Sequence, residues 1–149
     1  MSPIELSILV SRVESVCGEM GAVLKRAAFS PNIKDRLDFS CALFDARGGL
    51  YAQAAHIPVH LGSMAYAMAD IVSGPDWRDG DVLVINDPFL GGTHLPDVTM
   101  VAPLFCDGVL LDYIVHRASP PNICSATHGL MPGHRSLVHA GVDLQTPVI

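Results

Sequence analysis

The chain is predicted to be an α+β domain: a long N-terminal helix, then a β-hairpin and a largely antiparallel sheet with a short helix. Three observations carry this. Apolar residues from Leu6 to Ala27 recur at three- and four-residue spacing. Beyond Phe39, short apolar runs alternate with turns rich in Gly, Asp and Asn. At 149 residues and 50% apolar composition, the chain has enough material for one core of ordinary size.

Each element has its own signal. Ser2, Pro3 and Glu5 read as N-cap, first helical position and reciprocal capping acid. The stripe of Leu6, Leu9, Val10, Val13, Val16, Met20, Val23 and Leu24 follows, and the helix ends near Phe29 because Pro31 biases Ser30 away from helical angles. After the polar stretch NIKDRLD, the runs Phe39–Phe44 and Leu50–Gln53 flank Asp45 and Gly48, which reads as a hairpin. Ala55 to Ser63 reads as a loop, and Ser63 as the cap of a short helix through Met64, Met68, Ile71 and Val72. VLVIN suits a buried strand. VTMVAPLF is a second, with Pro103 at its end or at an edge, and VLLDYIVH is a third after the turn Cys106-Asp107-Gly108. From Arg117 the periodicity is lost, apart from a short helical turn near Ser136–His139. The whole is one domain over residues 1–149.

Composition narrows the function. Net charge is −6 and the nine Lys and Arg are scattered, which argues against nucleic acid. Glu5, Arg12 and Glu14 interrupt the first apolar residues, so no secretory signal is read, and no run of ~18 apolar residues spans a membrane. A cytoplasmic protein is expected. Cys17, Cys41, Cys106 and Cys124 lack CxxC spacing and read as reduced, mostly buried thiols. The high apolar content points to surface covered by more chain, by a partner or by self-association.

The chemistry concentrates in NDPFLGGTHLPD, residues 86–97. This loop leaves one buried strand and enters another, and loops on a rigid sheet are where binding groups gather. Gly91 and Gly92 let the backbone approach a ligand closely. His94 and Asp97, three apart, can converge on one divalent ion. The alternative is local: Asn86 and Asp87 make Asx-turns and His94 is an ordinary loop histidine. His56 and His60 are four apart, but Pro58 lies between them and works against helical pairing. A place for His60 in the lining of the same cleft is the stronger reading. Asp35, Arg36 and Asp38 form a charge cluster that reads as a solvated turn or ion pair. His128, His134 and His139 read as surface residues. No phosphate-binding glycine loop, nucleophile elbow or dinucleotide fingerprint occurs.

The run FSPNIKDRLDFSCALFDARGGLYAQAAHIPVHLGSM, followed by GDVLVINDPFLGGTHLPDVTMVAPLF, resembles the hydantoinase B/oxoprolinase family. That family includes B subunits of ATP-dependent N-methylhydantoinases, halves of 5-oxoprolinases and large subunits of acetone carboxylase-like enzymes. The resemblance implies a B-type subunit of an ATP-dependent cyclic amidohydrolase, with hydantoin or 5-oxoproline-like rings as substrate. It also implies a hydantoinase A-type partner that binds ATP and activates the substrate, so that this chain binds no ATP itself. His94 and Asp97 would be the first two ligands of a divalent metal (Mn, Zn or Fe). Asp38, His60, Asn86, Asp87 and Thr93 would contact substrate, and no catalytic residue is assigned. His116 or His128 are further candidates at the metal.

Two departures shape the alternatives. Family members are several times longer, so the chain resembles an N-terminal piece of one. Where the family continues after Arg-Ala with His-His-x-Asp-x-Gly-Gly, this chain has Ser119, Pro120, Pro121, Asn122, Ile123, Cys124 and Ser125. The third ligand position is therefore Ser119. The alternatives are a catalytically inactive member that keeps a scaffold or assembly role, and a subunit of an ATP-dependent ketone carboxylase.

Overall fold

A computed structural model describes residues 1–55, 57–89 and 96–120. Helix α1 runs Pro3–Ala27, α2 Pro31–Lys34 and α3 Pro58–Ile71, and the strands are β1 Phe39–Asp45, β2 Leu50–Ala55, β3 Leu83–Ile85, β4 Val98–Cys106 and β5 Val109–Ala118. The five strands form one sheet in the order β2-β1-β5-β4-β3, with every neighbouring pair antiparallel. The predicted α+β class and the antiparallel sheet are what the fold shows.

The capping box at α1 forms as expected: the Glu5 N–H donates to Ser2 Oγ at 3.3 Å and the Ser2 N–H donates to Glu5 Oε2 at 2.6 Å. Two boundaries differ from the sequence reading. Part of the polar stretch after Ser30 closes into α2, with Pro31 at its start. Helix α3 begins at Pro58, not at Ser63, so the proline of HIPVH starts a helix instead of holding a loop. Ser63 thus lies inside α3, where its hydroxyl donates to the His60 carbonyl at 3.1 Å. Pro103 sits mid-strand, opposite Tyr113 on β5. It is tolerated because β3 pairs only with Thr99–Val101, which leaves that stretch of β4 a local edge.

The sheet is packed on both faces, unequally. On one, α3 lays Met64, Ala67, Met68 and Ile71 against Ala42, Phe44, Leu83, Ile85, Val101, Tyr113 and Val115. Trp77 packs against this core, edge-on to Tyr113 at 5.3 Å between ring centres. On the other, α1 covers β1 and β2 through Cys17, Leu43 and Ala52, while Ile33, Phe39 and Cys41 cluster beside Leu24. At the β1–β2 turn Gly48 has φ +81°, and a Cβ there would meet the Met68 carbonyl oxygen at 3.1 Å, so glycine lets the hairpin tip close onto α3.

The cysteines differ in environment. Cys17 and Cys41 are buried as expected, but Cys106 is exposed at the β4–β5 turn, and Cys124 lies outside the described residues. Burial, with Cys17 nearby, pushes the Cys41 thiol up to about 12. Iodoacetamide at mildly alkaline pH should therefore modify Cys106 in the native protein, and Cys17 and Cys41 only after denaturant is added. Peptide mapping reads this out, and early labelling of Cys41 would contradict the burial.

Candidate functional site

Two polar rows cross the end of the sheet on the α3 face. Residues two apart on a strand project to the same side. In the observed register Ser40 lies opposite Arg117, and Arg117 opposite Thr99, across β1, β5 and β4. Just past the strand ends, Asp38, Ser119 and Asp97 continue the pattern. The Ser119 N–H donates to the Asp38 carbonyl at 3.1 Å, and the Ser119 hydroxyl donates to Asp97 Oδ1. Leu37, at φ +56°, turns the chain sharply into this row, and the Phe39 N–H closes the turn onto its carbonyl at 2.8 Å.

The first turn of α3 stands over both rows. His60 Nδ1 lies 3.3 Å from Ser40 Oγ, and its Nε2 lies 3.7 Å from Asp38 Oδ1 and 4.0 Å from Asp97 Oδ1. His60, Asp97 and Ser40 are buried, and Asp38 reaches the surface with 16% of its side chain exposed. The imidazole is thus held from one side by a hydroxyl and faces two carboxylates from the other.

Arg117 ties the arrangement together. It is wholly buried, its Nε donates to Thr99 Oγ1 at 2.8 Å, and its Nη1 donates to Ser63 Oγ. Burial pulls the pKa of this guanidinium down, and the Asp97 carboxylate pushes it back up. One cation therefore bridges β4, β5 and α3 and offsets the charge of the buried carboxylate.

The expected site residues divide as follows. Asp38, His60 and Asp97 come together, so Asp38 faces this buried cluster and is not part of a solvated turn. Asn86 is buried at the end of β3. Asp87 accepts the Phe89 N–H at 2.7 Å, which is the Asx-turn reading for that residue. His56, Thr93, His94, His128, His134 and His139 lie outside the described residues. His116 is on the opposite face of the sheet, where its Nδ1 meets Cys41 Sγ at 3.2 Å and burial lowers its pKa. Strand alternation sends neighbouring Arg117 to Asp97 and His116 away from it, so His116 cannot join that site. Sequence reasoning missed Ser40, Ser63, Thr99 and Arg117. A signal was present in DFS, PDVT and RAS, three polar pairs at i and i+2 at strand ends.

Among the described residues, no group of three His, Cys, Asp or Glu side chains could hold a metal ion. Of the ligands that the resemblance implies, Asp97 accepts a hydrogen bond from the Ser119 hydroxyl, and that hydroxyl, at the implied third position, is a weak donor for Mn, Zn or Fe. The described part is therefore not a complete metal site.

The chain matches the hydantoinase B/oxoprolinase family over residues 2–148 and belongs to it. It is 45% identical to the 5-oxoprolinase of Saccharomyces cerevisiae, over 89% of this chain and 10% of that one. An uncharacterised protein of Methanocaldococcus jannaschii is 38% identical over 95% of this chain and 26% of its own length. The fold also superimposes on the ATP-dependent caprolactamase from Pseudomonas jessenii, with a TM-score of 0.86 at 28% identity, covering 99% of this chain and 26% of that one. The chain thus spans about a quarter or less of these relatives. The fold is the corresponding part of a larger family fold.

Arg117→Met should unfold the protein more easily by roughly 3–5 kcal/mol, because it strands Asp97 without its counter-charge. Arg117→Lys should recover only part of that, since an ammonium cannot reach Thr99 and Ser63 with one planar fork. Urea denaturation of the three proteins measures both effects.

Proposed function

We propose that this chain is a B-type subunit, or the N-terminal part of one, of an ATP-dependent hydrolase that opens cyclic amides of the hydantoin or 5-oxoproline kind. One observation carries the reading: the family match runs through a buried cluster in which His60 faces two carboxylates, Asp38 and Asp97. Two relatives support the substrate class by name, a 5-oxoprolinase and an ATP-dependent caprolactamase. The sequence carries no phosphate-binding glycine loop, which fits the use of ATP by a hydantoinase A-type partner.

In this reading the cluster manages protons at the ring amide. Opening the ring makes the amide nitrogen a leaving group, and that nitrogen must gain a proton. His60, with Ser40 at Nδ1 and two carboxylates near Nε2, would hold such a proton and release it. Asp38, the more exposed carboxylate, and Asn86 and Thr93 from the adjoining loop would orient the ring. A divalent ion held by His94 and Asp97 would supply Lewis-acid polarisation of the carbonyl.

The test is reconstitution with an A-type partner, following ADP release and ring opening of hydantoin, N-methylhydantoin and 5-oxoproline. Turnover of at least one ring is expected, with His60→Gln lowering kcat by about 100-fold or more. ATP-independent behaviour, or no ring opening with any of the three, would sink the proposal.

A second reading, a catalytically inactive family member, is favoured by one contact: Ser119 stands at the third ligand position and hydrogen-bonds Asp97. Metal analysis separates the two. An active subunit should take up a stoichiometric divalent ion and lose it in His94→Ala. An inactive one should bind none as it stands and gain binding in Ser119→His, which replaces a weak oxygen donor with an imidazole.

A further inference from the structure

Helix α1 carries more apolar surface than the described fold uses. At 25 residues it is about 37 Å long, yet only Cys17 and Gly21 along it are buried. Every residue from Met1 to Arg12 is exposed. The first half of the helix is therefore an arm that stands clear of the sheet. Its apolar residues are Ile4 at 73% exposure, Ile8 at 50%, and Leu6, Leu9 and Val10 at 44–48%. At about 100° per residue, Ile4 and Ile8 point one way while Leu6 and Val10 point nearly opposite. Glu5, Ser7, Ser11 and Arg12 separate these two apolar sides, so a partner has to meet the arm from more than one direction to cover both. Half a helix of this length with no tertiary contact is also marginal in water.

The arm leads into a groove. Among the described residues α1 covers β1 and β2, and none packs over the same face of β5 and β4 beside it. Val16, Met20, Val23 and Ala27 of α1 and Met100 and His116 of the sheet line a trough of about 510 Å³. Among the described residues Glu19 is the one acidic or basic side chain that lines it, and burial holds His116 toward the neutral form. Met100 and Val23 are 44% and 55% exposed, and Leu104, on Met100's strand, is 42% exposed. The surface is suited to an apolar helix or strand, not to a charged ligand.

We infer that the arm and groove are the docking surface for the polypeptide that makes up the rest of the family chain. In the Methanocaldococcus jannaschii relative this unit is 26% of the length, and in the caprolactamase the same fold is 26% of the chain. In such relatives the unit is part of a chain about four times as long. A second copy of this chain would cover one stripe of the arm across a twofold axis. Apolar side chains on opposite sides of the arm call for an enclosing partner. The inference rests on family membership and on exposed area, and is independent of whether the His60 cluster is active.

The experiment is co-expression of this chain, tagged, with the part of the M. jannaschii relative outside the matched segment, followed by affinity capture and size-exclusion chromatography. A one-to-one complex is expected. Capture should fall more than tenfold in Ile4→Asp/Leu6→Asp and in Val23→Asp/Met100→Asp, and stay unchanged in Tyr66→Asp on the exposed side of α3. The arm variant touches no buried residue, and thermal melting verifies that each variant is folded. A dimer of this chain alone, broken by the same substitutions, would assign the surface to a second copy and overturn the inference. A monomer that captures nothing would overturn it too. A complex that forms but opens no ring would leave it standing and count only against the enzymatic reading.

Discussion

One buried guanidinium sets the terms for the functional end of this fold. Arg117 lies under the first turn of α3 with no exposed surface, and its fork reaches Thr99 on one side and Ser63 on the other. A charge taken out of water at this depth is stable only if nearby groups satisfy it. The requirement fixes three things together: the β4–β5 register that puts Thr99 opposite Arg117, the descent of α3 that brings Ser63 over the sheet, and a carboxylate, Asp97, close enough to oppose the charge. His60 is one turn of helix from Ser63, so the same anchor sets where its imidazole lies. The site is rigid because its positioning group is inside the core, not on the loop.

The two faces of the sheet do different work. Beneath α3, apolar packing around Tyr113 and Val115 gives way at the strand ends to the polar rows, so core and site share one interface. Beneath α1, the packing of the described residues centres on β1 and β2. That imbalance explains a composition of 50% apolar residues in a chain whose described core uses only part of them. In two relatives this unit is about a quarter of the chain.

Much of this was readable beforehand. The capping box of Ser2 and Glu5, the hairpin around Asp45 and Gly48, and the Asp107-Gly108 turn rest on local chemistry, and each forms as the residues suggest. The reading failed at HIPVH, where Pro58 suggested a loop. Pro58 occupies the first position of a helix, where its missing N–H costs nothing. It also failed at His116, because a metal ligand was sought by residue type while the strand's alternation decides which face a side chain sees. The His94 pairing lies outside the described residues, so the loop's role rests on Asp97 and its neighbours.

By itself the sequence determined what depends on near neighbours: helix starts, turn positions, the alternation that makes strands, and the run of motifs that assigns the family. Tertiary structure alone decided which polar residues meet. Asp38, His60, Asp97 and Ser119 are spread across 82 positions and come together only because β1, β5 and β4 lie side by side in register beneath α3. Strand order is set by the packing of whole faces, a sum over many weak contacts that no single local signal records. Ser119 shows the difference: the sequence marks it as a departure from the family's histidine, and only the fold shows its hydroxyl resting on Asp97.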